Sequence, residues 1–539
     1  MPKEYKIPLT SKKLLRGKKD ALEVIQYTVP RAQRYLNVET ETKITKPDVI
    51  SIDDVIHFGA ETLDLSKLRP QSPDVFEVLD TEACSTRGDE SLMLDYSNTL
   101  NQCNPFPTDK QRFISACVNS YIGSLGPQYT HPLLTTQATF TPLLQQHEVI
   151  ETVAEACGCS FLSWDNPDLT ELSYTKYQHA VSSLMKYVNG TTVKRQDEAW
   201  LGAAFQLLCL AAKITYKCDN RVSVRNLKNS YRLIKFKSER LRTGPPLQEV
   251  CGPERSNEGI FEDFTGDNLK MEIENSLIGY EGTKDVSMEK HFERMFTESF
   301  IYNFSVSVLI TDDLEGLPNP FEVFRTLKNY VKTPLFSCDV VWMNNPVLGA
   351  AFDAFELVAK SSFLIRHMED PLTIPCARKL LEIASFYPTP MIPSEIRVDE
   401  SKYMQLRDSV FLADIVMKAA KIVLRKVLEP TLSEHDPNIQ KDVEFVVSRL
   451  KQIPETSSVW IISAWAMFIM GLVAVKPDHR EMMVDALYLA AEKVHGRYIG
   501  TILDVLELSW GIGSKNGLMS TSRGLDVLFD HHLLSNVFI

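Results

Sequence analysis

A mainly α-helical protein built in two helical halves is the fold class that this 539-residue sequence predicts. Three observations point to it. One run, Val459 to Val475 (VWIISAWAMFIMGLVAV), is both uncharged and apolar, most other regular stretches space their apolar residues three or four apart, and only Phe304–Ile310 (FSVSVLI) alternates like a strand. Apolar residues at 44% and charged residues at 24% are ordinary globular values. With 58 basic against 70 acidic residues, the net charge of −12 argues against a surface that binds nucleic acid or acidic lipid throughout.

The apolar run could cross a membrane or fill a core. A span takes roughly 17–25 residues, so this run sits at the lower limit. Its flanks decide for the core. Val443, Val446, Val447 and Leu450 precede it at helical spacing, and Met482, Met483, Ala486, Leu487, Ala490 and Val494 follow it. One-sided helices around an all-apolar one describe the middle of a bundle, so Pro454–Trp510 is predicted as the packing centre of the C-terminal half. No membrane contact is expected.

Residues 1–90 are charged and punctuated by proline, and are predicted as a partly irregular arm. The first residues lack the apolar core of a secretion signal. Lys12, Lys13, Arg16, Lys18 and Lys19 form a short basic cluster, a candidate nuclear localisation signal or simply solvated charge. Residues 91–242 form the first helical half. Leu92, Met93, Tyr96 and Leu100 share one face, and NPFP stops that helix. Val149, Ile150, Val153, Ala154, Cys157 and Phe161 mark the next. Tyr177, Ala180, Val181 and Leu184 mark a third, closed by Asn189-Gly190. Asp197 is placed to cap a fourth, with Trp200, Leu201, Ala204, Leu207, Leu208 and Ala211 inside.

A helix of a different kind comes next. Arg221, Arg225, Lys228, Arg232 and Lys235 recur at +4, +3, +4, +3, while Val224, Leu227, Tyr231 and Ile234 fill another stripe. Ten basic and two acidic residues lie between Lys213 and Arg242, so this segment carries +8 and the remainder of the chain −20. Such a ridge is a candidate contact for nucleic acid or an acidic partner, or a match for the protein's own carboxylates.

Residues 243–335 are predicted as a loop-rich connecting region, with the strand-like run at 304–310 as the exception to helix. Residues 336–512 form the second half. Leu348, Ala351, Phe352, Phe355, Val358, Ala359 and Leu364 predict a helix over 345–368, after which prolines at 371, 375, 388, 390 and 393 interrupt. A long amphipathic helix is expected over Phe411–Leu428. Pro437 suits the first turn of the next one, and Asp478 with Glu481 suits a capping box. Gly496 is expected to end that helix, and Ile502, Leu503 and Leu506 to build the last, up to Trp510-Gly511. Residues 513–539 are left as a tail exposing His531-His532.

Enzymatic words are missing: no G-x-S-x-G, no H-E-x-x-H, and no G-x-x-x-x-G-K-[ST]. Asp312-Asp313-Leu-Glu315 and Asp53-Asp54 are the nearest thing to the clustered carboxylates of a magnesium-dependent all-α enzyme, and acid-rich turns account for them more simply. The ten cysteines include no C-x-x-C and predict reduced, mostly buried thiols. No catalytic residue, metal or cofactor is expected.

Four stretches resemble the regulatory region of fungal zinc-cluster transcription factors, the fungal-specific transcription factor domain. They are Ser91–Leu100 with Leu143–Trp164, Tyr174–Leu184 with Glu198–Leu210, NNPVLGAAFDAFELVAKSSFLIR (Asn344–Arg366), and Ile439 through the apolar run to Leu506-Glu507-Leu-Ser-Trp510. Members of that family usually carry six cysteines around two zinc ions ahead of this region. Only Cys84 precedes Ser91, so that cluster is absent from this sequence. The resemblance therefore implies a nuclear regulator or co-regulator acting through protein contacts with a DNA-bound factor or larger complex, with homo-oligomerisation open and a metabolite in a helical pocket as a further implication. Its competitors are a single-stranded RNA-coating protein of the viral nucleoprotein type, a helical scaffold, and the magnesium-dependent enzyme.

Overall fold

Polar caps and apolar stripes in the first half turn into helices packed around one of their number. The computed structural model describes residues 108–190, 198–215, seven positions between 224 and 235, 291–312, 314, 316–514 and 517–537. All of these belong to one compact unit, 55–539. The arm, the helix expected at Ser91–Leu100, the Asp197 cap and the basic cluster at 12–19 lie outside the described residues.

Helix α1, Asp109–Ala116, opens on a capping box: the Thr108 hydroxyl accepts the Gln111 N–H, and Gln111 Oε1 accepts the Thr108 N–H at 3.0 Å. A π turn, Cys117–Tyr121, carries it on to Ser124. Helix α2 is Thr136–Leu144, α3 Glu148–Leu162, α4 Thr170–Gly190 and α5 Glu198–Thr215. Helix α3 packs against α1, α4 and α5. A Cβ on Gly158 would sit 1.8 Å from the Phe113 carbonyl oxygen, so glycine is what lets α1 and α3 cross so closely. The sequence predicts neither α1 nor α2. Ser, Thr and Gln dilute their apolar stripe, and the π turn shifts its phase.

The strand-like run at 304–310 is a helix. It forms the last two turns of α6, His291–Ile310. Phe304, Ser305, Val306, Ser307, Val308, Leu309 and Ile310 are all buried, so helix packs on every side and the serines are small contact residues, not a solvent face. Helix α7, Pro320–Lys332, follows, and the loop-rich character expected up to 335 does not hold from His291 onward. Helix α8, Phe352–Arg366, is buried at every position from Phe352 to Ile365. Helix α9, Thr373–Phe386, fits between the proline clusters because Pro375 falls in its first turn, where a missing N–H costs nothing. Helix α10, Glu400–Leu428, begins eleven residues before the expected Phe411 and packs on α8 and α9. Among the described residues there is no strand, and the protein is mainly α.

Helix α11, Pro437–Leu450, has proline in its first turn behind an Asp436 cap. The apolar run is buried as predicted, but as two pieces: a 3₁₀ turn, Ser458–Ile462, and α12, Ala464–Val473. No helix among the described residues is long and apolar enough to cross a membrane. Helix α10 touches α11 and α12 as well, so the centre of the second half is α8 with α10 and α12, and not 454–510 alone.

Two terminal details differ from expectation. Helix α13, Pro477–Val494, starts with proline at its first position, so Asp478 lies inside it and makes no cap. His495, at φ 54°, takes the left-handed position one residue before Gly496, and its ring stacks on Phe161 at 3.9 Å. Helix α14 is Ile499–Ser509. The expected tail folds back on the body. A 3₁₀ turn, Gly524–Phe529, and α15, His531–Leu534, bury Leu525, Val527, Leu528, Leu533, Leu534 and Val537, while both histidines stay exposed.

Candidate functional site

The ridge helix is anchored by the stripe the sequence assigns to its other face. Val224, Leu227, Tyr231 and Ile234 are buried, and the Tyr231 ring stacks on Phe300 of α6 with centroids 5.8 Å apart. Of the five basic positions, Lys228 is exposed, and Lys235 Nζ lies 3.0 Å from Glu322 Oε1 of α7. That pairing is the internal match weighed above, realised at one position. Arg221, Arg225 and Arg232 lie outside the described residues.

Behind this helix the body is hollow. Ile234 closes a small chamber of about 20 Å³ with Thr139, Phe140, Gln206, Phe296 and Tyr330. Across Phe140 and Gln206 lies a cavity of about 70 Å³, bordered by Tyr121, Leu210, Tyr302, Ile461 and Tyr498. It is the meeting place of α2, α5, α6, the 3₁₀ turn before α12 and the end of α13. Its walls are apolar, with a few polar groups. Lys213 Nζ donates to Asn303 Oδ1 at 2.7 Å, and the Tyr302 hydroxyl points at the Ile461 carbonyl. The buried Gln206 side chain lies in the wall shared by both spaces. Burial drives the Tyr498 hydroxyl pKa well up, so that ring stays neutral. Glu293, at the small chamber, accepts the Tyr330 hydroxyl at 3.1 Å, and among the described residues no carboxylate lines the larger cavity. Both spaces are small, about 20 and 70 Å³, and mostly apolar, with scattered hydrogen-bonding groups in their walls.

One polar node holds the helices around the cavity in place. The buried Arg294 guanidinium donates to the carbonyls of Tyr330, Val331 and Thr333, the unsatisfied end of α7, and to Asn344. One turn on, Glu298 Oε2 accepts the N–H groups of Val347 and Leu348, both at 3.0 Å. Burial pushes the Glu298 carboxyl up to about 7, against the pull of Arg294 and of those two N–H groups. Asn344 Oδ1 accepts from Leu335 and Phe336, and the Ser409 hydroxyl accepts the Ala350 N–H. This node is what Asn344–Gly349 does in the fold. The sequence offers one signal for it, charged residues four apart in an otherwise apolar helix.

Among the described residues no group of three or more His, Cys, Asp or Glu is placed to hold a metal ion. Asp312 is exposed, and Asp53, Asp54, Asp313 and Glu315 lie outside the described residues. Cys117, Cys157, Cys159 and Cys376 are buried thiols, and Cys209 and Cys338 are free and half-buried.

Comparison with known proteins returns one family for the second half. Residues 378–518 match the fungal specific transcription factor domain. The match runs from inside α9 to just beyond α14. It takes in α10, the central α12 and the helices on either side of it, and about a quarter of the chain. Of the four resembling stretches it covers the last, Ile439–Trp510, and stops short of Asn344–Arg366. No curated protein and no solved structure matches the chain.

Proposed function

We propose that this chain is a nuclear regulator or co-regulator of transcription that works through contacts with other proteins, among them a DNA-bound factor. The observation that carries the proposal is the match of residues 378–518 to the transcription factor domain. A body whose described elements are all helical supports it, since packed helices present broad surfaces to other proteins. So does the basic helix, which offers a cationic face on an acidic protein. The basic cluster Lys12, Lys13, Arg16, Lys18 and Lys19 supplies a nuclear address.

The test is a chromosomally tagged full-length chain in a fungal host. Nuclear signal, enrichment at promoters by chromatin immunoprecipitation, and recovery of a sequence-specific DNA-binding protein on affinity purification are expected. Alanine at the five basic positions of the cluster should move the signal to the cytoplasm. A cytoplasmic wild-type signal together with no enrichment on chromatin would overturn the reading.

A further inference from the structure

The segment from Gly524 to Val537 lies beyond the matched family region. It packs as a strap over three of the most buried helices. The 3₁₀ turn Gly524–Phe529 lies on α8 and α12, and α15 lies on α6. Two polar ties fasten it. Lys426 of α10, fully buried, donates to the carbonyls of Pro430 and Leu432 and at 2.7 Å to Asp526 Oδ1 of the strap. The second tie is made from the linker. The hydroxyls of Ser520 and Ser522 donate to the same oxygen, Asp530 Oδ2, at 2.6 and 3.0 Å, while Asp530 Oδ1 caps α15 by accepting the Leu533 N–H.

The linker that carries these serines is open to other proteins. None of its described residues from 512 to 523 is helical, Met519 is 92% exposed, and Thr521 and Arg523 are exposed. Gly511, Gly513 and Gly517 all take left-handed backbone, and beside Gly513 and Gly517 there is open space. Ser520, Thr521 and Ser522 put three hydroxyls in a row on this non-helical segment, Thr521 exposed and the two serines half-buried against Asp530, within reach of a kinase when the segment lifts.

We propose that Ser520 and Ser522 are phosphoryl acceptors and that their modification unlatches the C-terminal strap. In the transfer, serine Oγ forms a bond to the γ-phosphorus of a nucleoside triphosphate and the bond to the bridging oxygen breaks. The nucleoside diphosphate leaves, and the hydroxyl proton passes to the kinase's base. The product removes a donor from Asp530 and sets about −1.5 to −2 charges beside its carboxylate. Glu434, whose carboxylate lies against Gly524, adds to the repulsion. Arg523 is a nearby cation. Its guanidinium is exposed and already donates to the carbonyls of Ser520 and Ser522, so solvent screens what it can return to the phosphate. With the strap gone, Lys426 loses the carboxylate it holds, and the faces of α8 and α12 beneath the strap are uncovered.

Hydrogen exchange on the full-length chain tests this in three variants: S520A/S522A, S520D/S522D, and S520D/S522D with Asp530→Asn. The alanine pair loses three hydrogen bonds, the two to Asp530 and the one from the Ser522 N–H to the Ser520 hydroxyl, and should loosen residues 525–537 modestly. The aspartate pair should speed their exchange at least tenfold beyond that. Asp530→Asn, which still caps α15 but carries no charge, should return the aspartate pair to the alanine rate. Far-ultraviolet circular dichroism confirms that each variant is folded, and S520D and S522D singly serve where the pair is not. Phosphopeptide mapping of protein from a fungal host should find phosphate on one or both serines. Exchange no faster in the aspartate pair than in the alanine pair, no rescue by Asp530→Asn, or both serines unmodified across growth conditions would overturn the proposal.

Discussion

Gly349 shows how a single residue fixes the node behind the cavity. Its φ is 52°, and a Cβ there would lie 2.3 Å from Gln128 Oε1 and 2.6 Å from the Ser409 hydroxyl that accepts the Ala350 N–H. Left-handed backbone alone costs a non-glycine residue about 1–3 kcal/mol, and the clash adds to it. Gly349→Ala should therefore lower the unfolding free energy by several kcal/mol, measured by denaturant titration. A comparable loss is not expected at Gly513, where the backbone is also left-handed but the space is open. Glu298 makes a different prediction. Its carboxyl is raised from the ordinary range to about 7, chiefly by burial. Between the two values the folded protein holds a proton that the unfolded chain has released, so stability falls as pH rises through roughly 4.5 to 7 and levels off above. Glu298→Gln removes that titration. Unfolding curves from pH 5 to 8 should show the wild type losing a few kcal/mol that the variant does not lose.

At the scale of elements, α8 holds the most demanding arrangement. Glu356 lies between Lys328 Nζ at 3.0 Å and Lys360 Nζ at 2.7 Å, with all three side chains less than a tenth exposed. Burial pushes the Glu356 carboxyl up, but the two ammonium groups outweigh it and hold it well below the usual carboxylate range. Lys360 also rests on aromatic faces, its Nζ 4.9 Å from the Phe321 ring. Glu356→Gln takes away the charge both lysines share and should cost roughly 3–5 kcal/mol. Lys235→Ala, which breaks the half-exposed pair with Glu322, should cost less than about 1 kcal/mol. A thermal denaturation series on the two variants measures the contrast, and equal losses would mean that α8 does not depend on its buried charges. The same helix marks what the sequence could and could not disclose. Helices with one wet face, such as α3, α4 and α11, were visible in their stripes. Where every face is dry the period vanishes, and so FSVSVLI imitates a strand inside α6. Helix α9 was hidden by Pro375, which breaks a helix interior but not a first turn. The node of Arg294, Glu298 and Asn344 shows in the sequence only as two charges four apart, because the partners of those charges lie 36 to 50 residues away and a one-dimensional pattern carries no sign of them.

For the whole molecule the deciding quantity is how charge is divided. The segment 213–242 carries +8 against −20 over the rest of the chain, so an acidic partner meets less repulsion there than over most of the remainder. The structure sets how much of the ridge is left to do this. Its apolar stripe is buried, with Tyr231 stacked on Phe300 of α6, Lys228 faces solvent, and Lys235 is held by Glu322. Reversal of Arg225, Arg232 and Lys235 to glutamate should then weaken binding to single-stranded nucleic acid or an acidic protein segment mainly through the two arginines. Each phosphate contact contributes about 0.7 to the salt slope for a single strand, so the triple variant should flatten the slope by about 1.4 and not by three full contacts. Fluorescence anisotropy over a salt series gives that slope directly. If affinity and slope match the wild type, the ridge is ordinary surface and partners dock elsewhere. If the full three contacts are lost, Lys235 leaves Glu322 on binding, and the interface forms by exchanging an internal ion pair for an external one.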